Sequence, residues 1–422
     1  MTRTLRETRQ HSWRDRTLRT AADAPSTVEA RAKTSRPALR FLVASGTSFY
    51  GDWLTTVALV VLLFRLTASP VAPALYFVAR AAPRIVGPLP GGVLADRYGP
   101  ARVAATCALL QALITASIVV FAASRLVWAI YAAVVVSQLL GSVAQPCYGA
   151  LVPRVTIPER LGRVQGTYTA LQSSSILVGP AVGALVLQFA APEILIGVDA
   201  LSFVIAAVLL ATLLKVGRRS ASEVAAPGGV RLGLRLVGRD PMLRFLAAAS
   251  VANPAAVTAL QAVLVVAAAQ HFGHDTVVGW LYAAVGAGGL IGTLPVIRKT
   301  PARVGLAWII GPSMLELAPL AVFVFITNLG VAMLLLFVSS AGATLYQTRG
   351  MVGLQQRVAP DALGRANAVI GFAIYVGMLL GAVTALSLVQ PLGWESTVLV
   401  VCAASATLLF FTAVSEGRRT AG

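Results

Sequence analysis

Twelve apolar segments, each close to the length that crosses a bilayer, follow one another along this chain of 422 residues, at 39–64, 70–91, 103–122, 127–150, 164–188, 194–214, 244–268, 277–297, 305–326, 331–349, 365–388 and 392–415. A helix needs about 20 mostly apolar residues to span the hydrocarbon, where every backbone polar group must find its partner within the helix. Such a succession leaves one fold class, an all-α integral membrane protein with twelve transmembrane helices, numbered here as spans 1 to 12. A composition of 57% hydrophobic and 12% charged residues excludes a soluble chain of this length.

The net charge of +18, with ten Arg or Lys in the first forty residues, would by itself suit a nucleic-acid partner. Its distribution does not. With the N-terminus inside, 30 of the 34 basic residues fall in cytoplasmic segments, Arg65 and Arg125 lie in outer loops, and Arg80 and Arg84 sit within span 2. This is the positive-inside pattern, which predicts a cell-membrane protein with both termini cytoplasmic and no nucleic-acid partner. Residues 1–37 hold no apolar core, so neither a signal peptide nor a first span is expected there, only a disordered basic cytoplasmic tail. Cys107, Cys147 and Cys402 fall in spans without ligand spacing, and His11, His271 and His274 lie in the tail or one outer loop, which indicates no metal site.

The segment Pro158-Glu159-Arg160-Leu161-Gly162-Arg163 returns 202 residues later as Pro360-Asp361-Ala362-Leu363-Gly364-Arg365. Proline followed by a carboxylate suits a helix N-terminus, so each copy is expected to open a span. Spans 1 and 7 are offset by a similar distance, which predicts two pseudo-symmetric six-helix bundles. The expected organisation is a tail at 1–37, an N-terminal bundle at 38–214, a cytoplasmic linker at 215–243, a C-terminal bundle at 244–415 and a cytoplasmic end at 416–422.

Within the spans, polar residues fall on stripes. Ser45, Ser48, Asp52 and Thr55 share one face of span 1, with Asp52 about 20 Å along the helix and so near the bilayer midplane. A carboxylate at that depth is functional by default. Tyr76, Arg80 and Arg84 form a stripe on span 2, which places Arg80 at a depth comparable to Asp52. The two are expected to meet, either as a structural ion pair or as a coupling pair. Pro83 and Pro88 should bend span 2. Glu316 lies about 18 Å into span 9, where Pro312 and Pro319 are expected to leave backbone carbonyls free for it. Asp199, about five residues into span 6, is expected to be shallow and to find a loop partner. Span 5 carries Gln165, Tyr168, Gln172, Ser175 and Gly179 on one stripe, followed by Pro180 and Gly183, which suit close packing and a bend.

Between spans 2 and 3 stands Gly92-Val93-Leu94-Ala95-Asp96-Arg97-Tyr98-Gly99, closed by Arg102. Its glycines are expected to permit a tight reversal and close helix contact. This spacing resembles the loop signature between helices 2 and 3 of the major facilitator superfamily, although Pro100 and Ala101 stand where that family has basic residues. The repeated Pro-acid-x-Leu-Gly-Arg loop, Gly51-Asp52-Trp53-Leu54-Thr55-Thr56 and Asp199-Ala200-Leu201-Ser202-Phe203 are similar to the macrolide-efflux-like and enterobactin-exporter-like branch, over residues 38 to 415. Gly179, Pro180 and Gly183 resemble a span 5 motif of exporters, while the span 4 arginine of proton-coupled members is missing before Gln138.

The resemblance implies two bundles rocking around a cavity lined by spans 1, 2, 4, 5, 7, 8, 10 and 11. Its polar contacts would be Asp52, Arg80, Gln138, Gln172, Asn253, Gln261 and Tyr346. Depth makes Asp52, Arg80 and Glu316 the candidate groups for charge coupling, while the resemblance, which keeps spans 3, 6, 9 and 12 outside the cavity, implies a buried structural carboxyl for Glu316. Asp96 would hold the outward-open state against the start of span 11 near Gly364 and Arg365. The implied activity is secondary export of an amphipathic organic compound or drug, driven by a proton gradient and without a cofactor. The partners would be the small-molecule substrate, protons and lipid, with the protein a monomer. The alternatives are an importer of a small metabolite and a non-transporting membrane scaffold or sensor. No span holds a His-containing triad and no phosphate loop is present, so enzyme chemistry is not expected.

Overall fold

The computed structural model describes residues 27–214, 229–273, 277–292 and 304–421. Thirteen helices are present among them: α1 (Thr27–Thr67), α2 (Val71–Val86), α3 (Pro88–Tyr98), α4 (Pro100–Ala123), α5 (Val127–Val155), α6 (Pro158–Val186), α7 (Pro192–Ala211), α8 (Gly229–Arg239), α9 (Pro241–Phe272), α10 (Val278–Gly292), α11 (Ala307–Phe323), α12 (Leu329–Arg357) and α13 (Pro360–Ala421). All twelve expected spans fall on helix within the described residues. The tail before residue 27 and linker residues 215–228 lie outside them, and α1 begins inside the segment expected to be disordered.

Seven of the described helices are long and apolar enough to cross a bilayer by themselves, or eight when a bent pair counts as one. The difference from twelve comes from breaks that the sequence foreshadows. Span 2 is divided at Gly87 into α2 and α3, with Pro83 and Pro88 on either side. Span 5 bends by 41° between Ile176 and Val178; Pro180 has no N–H for the Ile176 carbonyl, so the helix yields one turn before it. Spans 11 and 12 run together in α13 across Gly393, whose φ of 80° turns the chain in a region that suits glycine. Spans 8 and 9 correspond to the shorter apolar helices α10 and α11.

Packing divides the chain into halves. In the first, α1 lies against α6 and α7, and α4 against α5 and α7; in the second, α9 lies against α13, and α12 against α10 and α11. The halves meet through α6 on α10 and α2 on α13. Small residues set these distances. A Cβ on Gly377 or Gly381 would overlap the Val251 or Ala255 carbonyl oxygen, so α9 and α13 approach backbone to backbone. Across the halves, a Cβ on Gly279 would stand 2.9 Å from the Ala184 carbonyl oxygen.

Both copies of the repeated loop open a helix as expected. Pro158 and Glu159 form the first turn of α6, and Pro360 begins α13. The amphipathic α8 lays Gly233 against the Arg365 backbone, 2.7 Å from where a Cβ would sit, and so braces the start of α13.

Candidate transport site

The polar face of α1 turns inward, with Ser45, Ser48, Thr55 and Thr56 buried and Asp52 half-buried. Arg80 of α2 comes against this helix but makes no ion pair with Asp52. Its Nη1 donates to Thr56 Oγ1 and, at 3.4 Å, to the Tyr76 hydroxyl, while the guanidinium lies 4.4 Å over the Trp53 ring. The expected Asp52 to Arg80 contact is therefore replaced by hydroxyls and an aromatic face, which stabilise a buried cation without a carboxylate in direct contact. Arg84, one turn further along the same stripe, points to α5 and donates from Nε to Gln138 Oε1 at 2.9 Å. Depth was legible from residue counting; the rotation of α2 about its axis was not.

Asp52 has a different neighbour. It lines a small cavity with Thr55, Tyr76, Thr115, Ser137, Gln138 and Asp199, between α1, α2, α4, α5 and α7. Asp199 is 1% exposed and accepts from Ser202 Oγ of its own helix at 3.1 Å, so the expectation of access to outer water and of a loop partner is overturned. The α1 backbone at Gly51 covers it, and any Cβ there would overlap the Asp199 carboxylate. The signal available in the sequence was this glycine beside Asp52, since close helix contact needs one residue without a side chain.

Glu316 forms a second buried cluster in the other half. It is 2% exposed, and its Oε2 accepts from Asn253 Nδ2 at 2.7 Å, while Ser339 donates to the Glu316 backbone carbonyl at 2.8 Å. Asn253 is 0% exposed, and Tyr346 is buried beside the same carboxylate. Both residues belong to this interior cluster, which corrects their expected place on the cavity between the bundles. The carbonyl freed by Pro312 is that of Trp308, and it accepts from Arg349 Nη1 at 3.1 Å instead of serving Glu316.

Gln172 and Gln261 are half-buried. Tyr50 and Ser174 share a hydrogen bond of 2.8 Å, and Gln145 meets the Tyr375 hydroxyl at 3.4 Å across the two halves. Gly179 and Gly183 act as the span 5 motif suggested, seating α6 on α1: a Cβ at Gly179 would lie 2.5 Å from Trp53 Cβ, and one at Gly183 would lie 3.3 Å from Leu54.

The Gly92 to Arg102 motif is mostly helix, not turn. Residues 88–98 form α3, and the reversal is concentrated at Gly99, whose φ is 87°. Gly92 has no neighbour that a Cβ would meet; close contact is made by Gly91, against the Val143 carbonyl oxygen of α5. Asp96, Arg97 and Arg102 are exposed, with the Arg97 guanidinium 5.3 Å from the Tyr98 ring.

The Major Facilitator Superfamily model matches residues 41–348, most of the chain. The chain belongs to the Major Facilitator Superfamily. It is therefore a multi-pass membrane transporter of small molecules, not an enzyme. It is 27% identical over 380 residues to the multidrug efflux pump Tap of Mycolicibacterium fortuitum, covering 86% of this chain and 91% of that one. The multidrug efflux pump Tap of Mycobacterium tuberculosis H37Rv is 24% identical over 379 residues, covering 86% and 89%. Among solved folds, the POT family transporter PepTSo superposes with a TM-score of 0.71 at 12% identity, over 91% of this chain and 98% of that one. The nucleoside transporter NupG gives 0.67 at 14% identity, over 90% and 98%. At such identities these structures support the shared superfamily fold and nothing finer.

Proposed function

We propose that this protein exports an amphipathic organic compound across the cell membrane in exchange for protons, by rocking its two bundles around a site between them. The observation that carries this reading is the half-buried Asp52 on the same helix as a Trp53 ring capped by Arg80, in a chain similar to efflux pumps over nearly their whole length. A carboxylate within the membrane can take a proton from one side and release it to the other as the bundles change places. Aromatic rings and amides spaced around Gln145, Gln172, Gln261 and Tyr375 suit bulky ligands with few hydrogen-bonding groups.

The packing of Gly279 on Ala184, together with exposed Asp96 at the opposite end, fits an inward-facing arrangement. In this reading the Asp96 contact to the start of α13 belongs to the outward-facing state. Both termini are cytoplasmic in this reading, the protein acts as a monomer, and the energy source is the proton gradient.

The test is flux in vesicles of stated orientation containing the purified protein, against a panel of amphipathic cations, neutral drugs and small polar metabolites. Proton-driven movement of amphipathic compounds away from the cytoplasmic face is expected. Movement toward it would make the protein an importer, and no flux of any compound would favour a scaffold or sensor.

A further inference from the structure

We propose that Asp52 and Asp199 form one proton-binding site inside the N-terminal bundle, a carboxylate pair sharing a single proton through one water held by Thr55. The proposal rests on the proton-exchange reading and adds to it a second carboxylate and a place. Both side chains line the same cavity, which offers ≈ 20 Å³ to the centre of a water molecule. That is about the room one water needs, provided it finds two to four polar partners.

Thr55 supplies the observation that points to an occupant. Its side chain lines the cavity and is 9% exposed, and its Oγ1 has no hydrogen-bond partner. It lies beside Asp199 without reaching hydrogen-bond geometry. A buried hydroxyl is normally satisfied by protein or by ordered water, and the cavity that would hold such a water is lined by Thr55 together with both carboxylates. Gly51 keeps the arrangement tight by letting the α1 backbone rest on Asp199.

The nearby cations are engaged elsewhere: Arg80 by Thr56, Tyr76 and Trp53, and Arg84 by Gln138. From α2 the charged or titratable groups that face the pair are Tyr76, Arg80 and Arg84; α5 brings Tyr148, which Tyr168 of α6 stacks against. From α4 the cavity receives Thr115 and Ile118, and α7 adds Ser202 beside Asp199. Two like charges in one small cavity are relieved when a single proton serves both. A proton from the aqueous side forms one O–H bond on one carboxylate, which donates through the water to the other, and release breaks that same bond.

The experiment is infrared difference spectroscopy of the full-length protein in lipid, following the C=O stretch of protonated carboxyls as pH is varied, in a Glu316→Gln background. Asp52→Asn and Asp199→Asn are each expected to abolish the same titrating band. Thr55→Val, which keeps the shape, should retain the band and move its midpoint by about one pH unit. Replacing choline by sodium should change nothing. Two separate bands, each lost with its own aspartate, would overturn the proposal, as would a midpoint that follows sodium. Should Asp199→Asn fail to fold, Thr55→Val decides, and an unmoved midpoint overturns the shared water. A shared band in a protein that exports nothing would sink the export reading and leave this site standing; export with two independent bands would do the reverse.

Discussion

The two halves bury their carboxylates in different ways. In the N-terminal half, Asp52 is half-buried and Asp199 joins it around a cavity, with guanidinium groups of α2 close by. In the C-terminal half, Glu316 is closed in, capped by the Asn253 amide and walled by Gly342, whose missing side chain lets α12 press on the α11 backbone. A carboxyl that shares a cavity can exchange a proton with water, whereas one capped by an amide within a close-packed interior serves chiefly to hold helices together. Sequence similarity between the halves survives in the repeated loop, yet the carboxylates are placed differently: two around a cavity in one bundle, one capped by an amide in the other.

The largest effect that could break this comparison concerns packing. Gly377→Val should cost about 3 kcal/mol, because the added atoms meet the Val251 backbone, which cannot turn aside. The corresponding change in the other half, Gly51→Ala, first meets the Asp199 and Ser202 side chains and no backbone atom as near, so it should melt closer to wild type while altering the pH dependence of flux. Thermal unfolding in detergent, paired with vesicle flux, separates the two. Equal melting temperatures for both variants would remove the asymmetry.

Next in size is Glu316. Glu316→Ala strands the Asn253 amide in an apolar interior and should cost about 1–3 kcal/mol. Glu316→Gln keeps an acceptor oxygen for Asn253 and should retain both stability and the pH profile of transport. A pH profile flattened by Glu316→Gln, with folding intact, would move the proton site to the C-terminal half.

A smaller effect is expected at Arg80. Lysine cannot lie over Trp53 as a planar guanidinium does while also donating to Thr56 and Tyr76. Arg80→Lys should cost about 1 kcal/mol of stability and lower flux several-fold, measured by unfolding and by initial rates. Full activity with lysine would show that charge alone matters there. The smallest effect belongs to Asp96→Asn, which should change the balance of inward- and outward-facing forms about two- to fivefold, read as the distance between spin labels on Arg97 and Arg365. No change in that balance would detach the motif from gating.

Much of this architecture is carried by local information. Segment length and apolarity give the spans, Pro158 and Pro360 mark helix starts, Pro180 gives a bend, and basic residues predict orientation. Each depends on a residue and its immediate neighbours along the chain, or on its preference between lipid and water. The candidate site was legible only in part. Asp52 and Arg80 were identifiable as buried charges at similar depth, and Glu316 as an enclosed carboxyl.

Which side chains meet was decided by the tertiary structure. Depth fixes one coordinate of a residue in a membrane, while its partner depends on how each helix is rotated and tilted against its neighbours. A small rotation directs Arg80 to Thr56 and Trp53 instead of Asp52, and sends Arg84 to Gln138. A glycine at 51 brings α7 close enough for Asp199 to join Asp52, and the packing of α9 on α11 turns Asn253 from the space between the bundles to Glu316. The sequence by itself determined a twelve-span membrane protein with two related halves. The lateral packing of its helices decided which carboxylates line a cavity and which are closed in, because that choice rests on contacts between residues far apart in the chain.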